Sequence, residues 1–326
     1  MDARSARDPA TSARMPIIRW RRGELVREEV DVAGVGQLLK VRFASVCPSE
    51  EQLAPDWGVG LGHELVVEAG GVLAVLAPFV VCGDCLACTA GLFSRCIEVE
   101  CPSLSWGGHG GLGGVVGLAN ETFLIPMPAT TRPFLYALAE PAAAGVAASA
   151  SVASDRVAVI GLGAVGIGAA LAACTRRVQV TAFVRHEWQE GLAIRTGLGT
   201  ARLESARPLS FPAVIVASGS VEALRIAQTI VEPGGQILLV GMDLGNPDWR
   251  KETGGSYDFF RREVTVTYHY MYTLAQLREA VSLIDAFEET LECVVSGPVS
   301  SRKLNATALS RRQGRRLIVD TGGNSV

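Results

Sequence analysis

Four cysteines in one short segment carry the clearest chemical signal in the sequence. Cys82, Cys85 and Cys88 are each separated by two residues, and Cys96 follows after seven more. A tetrahedral Zn²⁺ needs four thiolates at about 2.3 Å, and such short spacings let one loop surround the ion. Disulfides are not expected, because no signal peptide indicates export and half of the eight cysteines crowd into this segment. The segment predicts a closed, structural zinc site, with four metal-free thiols as the alternative.

A second signal is a glycine-rich turn that follows the apolar run Arg156–Ile160 and precedes an alanine-rich helix. In such a turn the first glycine permits the bend, and the second lets the backbone approach a diphosphate. The third allows close packing of helix against strand. The diphosphate would lie at the helix N-terminus, where unpaired N–H groups meet the positive end of the helix dipole. The predicted dinucleotide site comprises Gly161, Leu162, Gly163, Ala164, Val165 and Gly166.

The residue that ends the next strand indicates which dinucleotide binds. An acid there would bind the ribose hydroxyls of NAD. Instead, 24 positions after Gly161 the chain has Arg185, followed by His186. A cation at this place can pair with a 2′-phosphate, which favours NADP. In the alternative, Glu187 binds the ribose of NAD and Arg185 is only a solvated strand end.

Five residues in three distant segments could form a second, catalytic metal site. Thiolate, imidazole and carboxylate are all zinc donors, and a catalytic zinc takes three protein ligands and keeps one open position. Taken singly these residues are ordinary, since a lone buried cysteine usually behaves as a small hydrophobic residue. The residues are Cys47, Ser49, His63, Glu64 and Glu140.

The elements that must hold these residues change character along the chain. From Pro16 to about Ala129 the apolar runs are short and broken by Gly, Pro and charge, which favours strands and turns. The predicted strands are Val26–Val30, Gln37–Phe43, His63–Ala69 and Val72–Val81. This part of the chain predicts a mainly β domain.

After Pro133 an alanine-rich stretch leads into alternating strands and helices, the pattern of a doubly wound parallel sheet. The predicted strands are Arg156–Ile160, Val178–Val184, Ala213–Ala217, Gln236–Val240 and Val264–Tyr270. The predicted helices are Leu135–Ala150, Val165–Cys174, Val221–Val231 and Leu274–Phe287. The fold class is therefore α/β, and the tail Cys293–Val319 is expected to rejoin the first domain.

The length and composition are compatible with this division. A chain of 326 residues, 48% of them hydrophobic, suits two domains. We expect residues 1–15 as a disordered lead-in, 16–140 with 292–326 as a zinc-binding β domain, and 141–291 as a dinucleotide-binding domain. The net charge of −3 gives no excess of basic residues, so we do not expect nucleic acid as a partner. The apolar runs are too short or too rich in Gly and Ala for a membrane span, so we expect a cytoplasmic protein.

The order of the motifs resembles that of the zinc-containing medium-chain dehydrogenases, from about Pro16 onward. The motifs follow one another as Cys47-x-Ser49-Glu50, Gly62-His63-Glu64, the cysteine segment, Glu140-Pro141 and the Gly161–Gly166 turn. The form Glu140-Pro141, in place of a third cysteine, is similar to the branch with polyol, threonine and aminocyclitol dehydrogenases. The resemblance implies a GroES-like β domain joined to a Rossmann domain.

The same resemblance implies roles for the candidate residues. Cys47, His63 and Glu140 would bind a catalytic zinc, and Glu64 would stand behind them and enter or leave the coordination sphere. Ser49 would pass the substrate proton towards solvent, and the four-cysteine segment would hold a structural zinc. Each chain would then carry two zinc ions and bind NADP or NAD.

The sequence also departs from the family pattern. Pro48 and Glu50 flank Ser49, where the family more often has a small or polar residue and an aspartate. The segments that separate the first ligands and the cysteines are shorter than usual. We therefore expect rebuilt pocket walls, for which Trp57 and Trp106 are candidates.

The expected activity is hydride transfer between NAD(P) and a small-molecule alcohol, ketone or aldehyde, with zinc as Lewis acid. By analogy with relatives, we expect a homodimer or homotetramer formed through the sheet edge at Val264–Tyr272. One alternative is reduction of a conjugated alkene or imine with NADPH. Another is a non-catalytic binding protein on a degenerate scaffold, against which the retained ligands and glycine turn argue.

Overall fold

The computed structural model describes residues 12–21, 24–33, 37–50, 60–98, 104, 109–118, 120–241, 256–305, 308–309 and 314–322. Trp57 and Trp106 lie outside these ranges. The chain divides into two compact units. The first runs up to Glu140 and includes Thr273–Asp285 and Val295–Val326, and the second comprises Pro141–Tyr272 and Ala286–Val294. The segment Thr273–Asp285, which the sequence assigned to the dinucleotide domain, thus belongs to the first unit.

Strands make up most of the first unit. Two of them, β1 (Ser12–Arg21) and β2 (Glu24–Ala33), form an antiparallel pair. Within the described residues, seven others form one sheet in the order β14-β15-β3-β4-β5-β7, with β6 also paired to β3. These strands are β3 (Gln37–Val46), β4 (Glu64–Ala69), β5 (Val72–Leu76), β6 (Val115–Leu118), β7 (Leu124–Pro126), β14 (Val295–Ser300) and β15 (Arg316–Asp320).

The hairpin between β4 and β5 shows how the sequence builds this sheet. Gly70 and Gly71 have φ of +58° and +82°, and they join the paired residues Ala69 and Val72. A two-residue hairpin loop of this kind needs positive φ at both positions, which glycine adopts without strain. The turn therefore fixes the register of β4, the strand that begins immediately after His63.

The first strand differs from the prediction. β1 begins at Ser12, although residues 1–15 were predicted to be a disordered lead-in. The polar composition of this segment by itself predicts disorder. In the structure each residue of β1 pairs with a residue of the antiparallel strand β2. Met15 lies within β1 and is fully buried, next to Val115.

Helices in the first unit are short. Among the described residues they include α1 (Leu86–Thr89) and 3₁₀ turns at Phe93–Arg95, Gly111–Gly113, Glu121–Phe123, Pro133–Leu138 and Ser301–Lys303. The helix α2 (Ala139–Ser149) begins at the boundary of the two units, and α7 (Leu274–Ala286) lies in the segment described above. No helix in the described part of the chain is long and apolar enough to cross a membrane.

The second unit is a parallel sheet with helices between its strands. Its described strands lie in the order β10-β9-β8-β11-β12-β13, and every neighbouring pair is parallel. They are β8 (Arg156–Ile160), β9 (Gln179–Val184), β10 (Gly199–Arg202), β11 (Phe211–Val216), β12 (Val231–Leu239) and β13 (Thr265–Tyr268). The helices are α3 (Ala164–Thr175), α4 (Glu187–Arg195), α5 (Val221–Ile230), α6 (Ser256–Arg261) and α8 (Glu288–Leu291), with 3₁₀ turns at Leu203–Ser205 and Glu292–Val294.

Small residues let α2 and α3 pack closely beside this sheet. A Cβ added to Gly145 would lie 2.0 Å from the carbonyl oxygen of Val165, and one added to Gly168 would lie 2.3 Å from that of Ala142. Only glycine tolerates such an approach. The packing holds α3 in place, and the N-terminus of α3 ends the glycine turn of the dinucleotide motif.

Candidate functional site

The four cysteines of the predicted structural site lie together. Their sulfurs are all within 4.8 Å of one another, and the Cys82 sulfur lies 3.8 Å from that of Cys88 and 3.6 Å from that of Cys96. Four sulfurs at about 2.3 Å from the centre of a tetrahedron are about 3.8 Å apart. The donor set and its dimensions therefore fit Zn²⁺.

Short local elements bring these sulfurs together. Cys85 caps the N-terminus of α1, Cys88 lies within it, and Cys96 ends the 3₁₀ turn Phe93–Arg95. The ring of Phe93 packs against Phe79 and Phe123, with centroids 5.2 Å away in each case. These aromatic contacts attach the segment Cys82–Cys96, called the cysteine lobe below, to the sheet of the first unit.

The thiols of the lobe differ in acidity. The backbone N–H of Cys88 donates a hydrogen bond to Cys85 and lowers the pKa of that thiol to about 7. Burial raises the pKa of Cys88 to about 12, and a hydrogen bond with the Asp84 side chain raises the pKa of Cys82. A bound cation would favour the thiolate at all four positions, so metal binding releases protons here.

The second predicted site is assembled by three neighbouring strands. Cys47 follows β3, His63 precedes β4, and Arg316 begins β15. β3 pairs with β4 on one side and with β15 on the other, so the three residues meet at the same end of the sheet. Side-chain donor atoms of Cys47, His63 and Glu64 lie within 4.8 Å of one another. We call these three residues the Cys47 group.

Glu64 is the most unusual member of the group. Its side chain is fully buried, and its Oε2 has no hydrogen-bond partner among the described residues. Such an orphaned carboxylate oxygen is costly unless a cation or another donor reaches it. The other carboxylate oxygen, Oε1, lies 3.0 Å from Nη2 of Arg316. A thiolate, an imidazole and an unpartnered carboxylate oxygen form a donor set that suits zinc.

Glu50 is a further candidate residue of this site, and the sequence alone did not indicate its contacts. Its Oε1 lies 2.8 Å from Nδ1 of His63 and accepts a hydrogen bond of 2.7 Å from the Gly62 N–H. The Cys47 N–H approaches Oε2 at 3.4 Å. A carboxylate behind a metal-binding histidine fixes the ring orientation and the tautomer. The sequence shows the three-residue spacing from Cys47, but in the sequence the glutamate stands only as a departure from the family's aspartate.

The charges of the group influence one another. Burial lowers the pKa of His63, but Glu50 and Cys47 outweigh it and raise the pKa well above its ordinary value. Burial likewise opposes the charged form of Arg316, whose pKa is raised because Glu64, Cys47 and Glu140 surround it with negative charge. The Arg316 guanidinium also approaches the Val46 carbonyl oxygen at 3.4 Å. No local motif marked Arg316, because only the strand pairing brings it to this site.

The two remaining predicted residues occupy different positions. Ser49 Oγ lies 3.0 Å from Cys47 Sγ, so it is part of the same cluster. Glu140 is buried in the first turn of α2, but it is not among the three residues whose donor atoms approach within 4.8 Å. It is close enough to influence Arg316. The assignment of Glu140 as third ligand stays a prediction.

The glycine turn has the geometry that a dinucleotide requires. Gly161 has φ of +90°, and a Cβ on Gly166 would lie 1.9 Å from the carbonyl oxygen of Gly161. A Cβ on Gly163, the residue that caps α3, would meet nothing within 4 Å. Open space at the second glycine is what lets a diphosphate approach the backbone. The residues present therefore fit a bound dinucleotide.

At the end of β9 the structure gives Arg185 and His186 specific partners. Arg185 Nη2 lies 2.6 Å from Glu222 Oε2. His186 caps α4, and its ring stacks on that of Trp188, with an interplanar angle of 11°. The backbone N–H groups of Arg185 and His186 both donate to Gln189 Oε1, which fixes this turn.

Known structures resemble this chain in fold. No protein-family model matches it, and no curated protein matches it by sequence. L-idonate 5-dehydrogenase from Escherichia coli is 15% identical with a TM-score of 0.75, covering 95% of this chain and 98% of its own. Acetophenone reductase from Geotrichum candidum, solved with NAD, is 19% identical with a TM-score of 0.77, covering 96% and 98%. The fold is that of these oxidoreductases.

A third similar structure is that of a candidate zinc-binding dehydrogenase from Sinorhizobium meliloti, solved with NADP. It is 19% identical, with a TM-score of 0.73, and the match covers 94% of this chain and 99% of that chain. The similarity spans both units. It confirms the predicted α/β class, with a GroES-like β domain and a Rossmann domain.

Proposed function

We propose that this protein is a zinc-dependent oxidoreductase that transfers a hydride between NAD(P) and an alcohol, ketone or aldehyde. The observation that carries the proposal is the buried Cys47 group, in which a thiolate, an imidazole and an unpartnered carboxylate oxygen converge. The similar structures named as L-idonate 5-dehydrogenase and acetophenone reductase support the same class of reaction.

Cys47, His63 and Glu64 would hold the catalytic zinc. Bound there, zinc supplies a Lewis acid that polarises the oxygen of the alcohol or carbonyl. Glu140, the third ligand that the family resemblance implies, would exchange with Glu64 in the coordination sphere, and it stands near Arg316 as a further carboxylate. Cys82, Cys85, Cys88 and Cys96 would hold the second, structural zinc.

The surrounding side chains prepare this site. Glu50 holds Nδ1 of His63, so Nε2 is the ring atom that serves as metal donor. Arg316 balances the buried charge of Glu64. Ser49 Oγ, 3.0 Å from the Cys47 sulfur, is a hydroxyl that can both accept and donate a proton, and we assign to it the transfer of the substrate proton towards solvent.

The glycine turn Gly161–Gly166 would bind the diphosphate of the cofactor at the N-terminus of α3. We propose NADP as the preferred form, because Arg185 stands at the end of β9, where a 2′-phosphate would lie. Two of the similar structures were solved with NAD and with NADP, respectively.

We propose a homodimer or homotetramer through β13, the strand at one edge of the parallel sheet, where Tyr268 and Tyr270 are more than half exposed. We also propose that the protein works in the cytoplasm, where the thiolate ligands stay reduced. Static light scattering on the purified protein reports the assembly.

The decisive test is replacement of Cys47 by Ala. We expect bound zinc to fall from two ions to one per chain, and turnover to fall by about a thousandfold or more. Lewis-acid stabilisation supplies several kcal/mol, and each 1.36 kcal/mol changes the rate tenfold. Zinc is measured by mass spectrometry on protein purified without added metal. Turnover is measured with NADPH and NADH against a panel of ketones, aldehydes, enals and imines.

The matched control is Cys174→Ala, which removes a cysteine that is exposed and belongs to neither metal group. This variant should keep both zinc ions and full turnover. If Cys47→Ala keeps two zinc ions and wild-type turnover, the proposed function is wrong. Consumption of NADPH with enals or imines alone would retain the site but replace the substrate class.

A further inference from the structure

The end of β9 contains an ion pair that the proposed function does not use. Arg185 Nη2 and Glu222 Oε2 are 2.6 Å apart, and the two side chains are 55% and 59% exposed. Glu222 lies in the first turn of α5, two residues after the cap Ser220. Arg185 is the residue proposed above to bind the 2′-phosphate of NADP. Its guanidinium therefore has a carboxylate partner within the chain.

The position of this pair is specific to the dinucleotide crevice. In the sheet, β9 and β11 lie on either side of β8, and the glycine turn follows β8. Arg185 follows β9, and Glu222 belongs to the helix that follows β11. The ion pair thus links the two sides of the point where the strand order reverses. In open α/β sheets this is where the cofactor binds.

A second ion pair lies beside the Arg185–Glu222 pair, so another arginine near this turn also has a carboxylate partner. Arg202 pairs with Glu190, and its Nη1 approaches the carbonyl oxygen of Arg185 at 3.3 Å. Two cations and two carboxylates therefore lie around the end of β9. A 2′-phosphate that enters must take Arg185 away from Glu222 and lie near an acid.

We propose that Glu222 sets the cofactor preference of this protein by competing with the 2′-phosphate of NADP for Arg185. The inference rests on the proposed function, because it assumes that NAD(P) binds at the glycine turn. NADH has only a hydroxyl at this position, so it can bind while the Arg185–Glu222 pair stays intact. The pair lowers affinity for NADPH selectively, and the two cofactors become closer in affinity than Arg185 alone would make them.

The test is the variant Glu222→Gln, which keeps the shape of the side chain and removes its charge. We expect the dissociation constant for NADPH to fall by about two- to fivefold at about 0.1 M salt, the scale of an exposed ion pair and its screening. The dissociation constant for NADH should not change measurably, because NADH has no 2′-phosphate that competes for Arg185. Both constants are measured by calorimetry on the zinc-loaded protein. The gain for NADPH should shrink as salt is raised.

The control is Glu232→Gln. Glu232 forms a similar exposed pair with Arg156, at a distance of 3.1 Å, and Arg156 begins β8 at the end opposite to the glycine turn. The substitution and the change in net charge are the same, but no cofactor group lies there. Affinity for both cofactors should be unchanged.

A double variant tests the competition itself. In the Arg185→Ala background, Glu222→Gln should give no gain in NADPH affinity. The guanidinium for which Glu222 and the 2′-phosphate compete is absent from that variant. A gain that persists there would overturn the inference, as would an unchanged or weaker NADPH affinity in Glu222→Gln. Loss of NADH affinity would also overturn it, since Glu222 would then bind the ribose. If the wild-type protein binds neither nucleotide, the proposed function itself fails.

Discussion

The cysteine lobe and the Cys47 group are both clusters of metal donors in the first unit, but the chain assembles them in different ways. The lobe takes its four ligands from a single segment, Cys82–Cys96, with one short helix and one 3₁₀ turn. The Cys47 group needs β3 and β4 side by side and includes an orphaned carboxylate oxygen, and β15 brings the largely buried Arg316 against it. A closed site of equivalent ligands is suited to structure, whereas a site with unequal, partly unsatisfied groups is suited to chemistry.

The largest effect that we expect concerns Arg316. Replacement by Met leaves the Glu64 carboxylate buried without its cation, which should lower the free energy of unfolding by about 3–5 kcal/mol. Urea unfolding followed by circular dichroism measures this loss. The exposed Arg302 offers a control, since Arg302→Met should change stability by less than about 0.5 kcal/mol.

A double replacement sharpens the Arg316 prediction. In Glu64→Met with Arg316→Met both partners become apolar, and much of the stability should return. If the double variant is as unstable as the single one, the loss comes from packing and the ion pair is not its cause.

The next largest effect tests whether the cysteine lobe stabilises the structure without taking part in turnover. In Cys96→Ser the lobe should lose its zinc and open locally, and trypsin should cut after Arg95 at least about a hundredfold faster. That factor corresponds to a loss of about 3 kcal/mol in the cost of opening. Cleavage is followed by mass spectrometry. Turnover per intact molecule should remain, and its disappearance would contradict the division of roles between the two clusters.

The smallest effect concerns the carboxylate behind His63. Glu50→Gln keeps the size of the side chain but weakens its hydrogen bond with His63 Nδ1. Affinity for the catalytic zinc should therefore fall by about 10- to 100-fold. Competition with a chelator measures this affinity while the lobe zinc serves as an internal reference. The exposed Glu121→Gln is the control. Equal losses at both zinc sites would mean that Glu50 acts through the general fold.

The same contrast explains what the sequence could and could not predict. The lobe was readable because its four ligands lie within fifteen consecutive positions, 82 to 96, and spacing alone limits what such cysteines can do. The glycine turn was readable because it follows the strand β8 and precedes the helix α3 in the expected order.

Arg316 could not be found in this way, since it follows Cys47 by more than 250 positions and reaches it only through strand pairing. Glu50 was visible, but its role depends on the positions of Gly62 and His63 in space. The strand β1 was missed because its partner β2 stabilises a segment whose composition alone predicts disorder. The pairing and register of strands that lie far apart along the chain are the features that are hardest to predict from a single sequence.

The placement of Arg316 on β15 has a consequence for the timing of assembly in the cell. A growing polypeptide exposes Cys82 to Cys96 long before the ribosome has made β15, so the lobe can load zinc while translation continues. The Cys47 group has its donors early, but the cation that neutralises Glu64 arrives only when β15 joins β3. If the two clusters hold zinc as proposed, the Cys47 group would be completed last, after both units have been synthesised, whereas the lobe could hold its metal earlier.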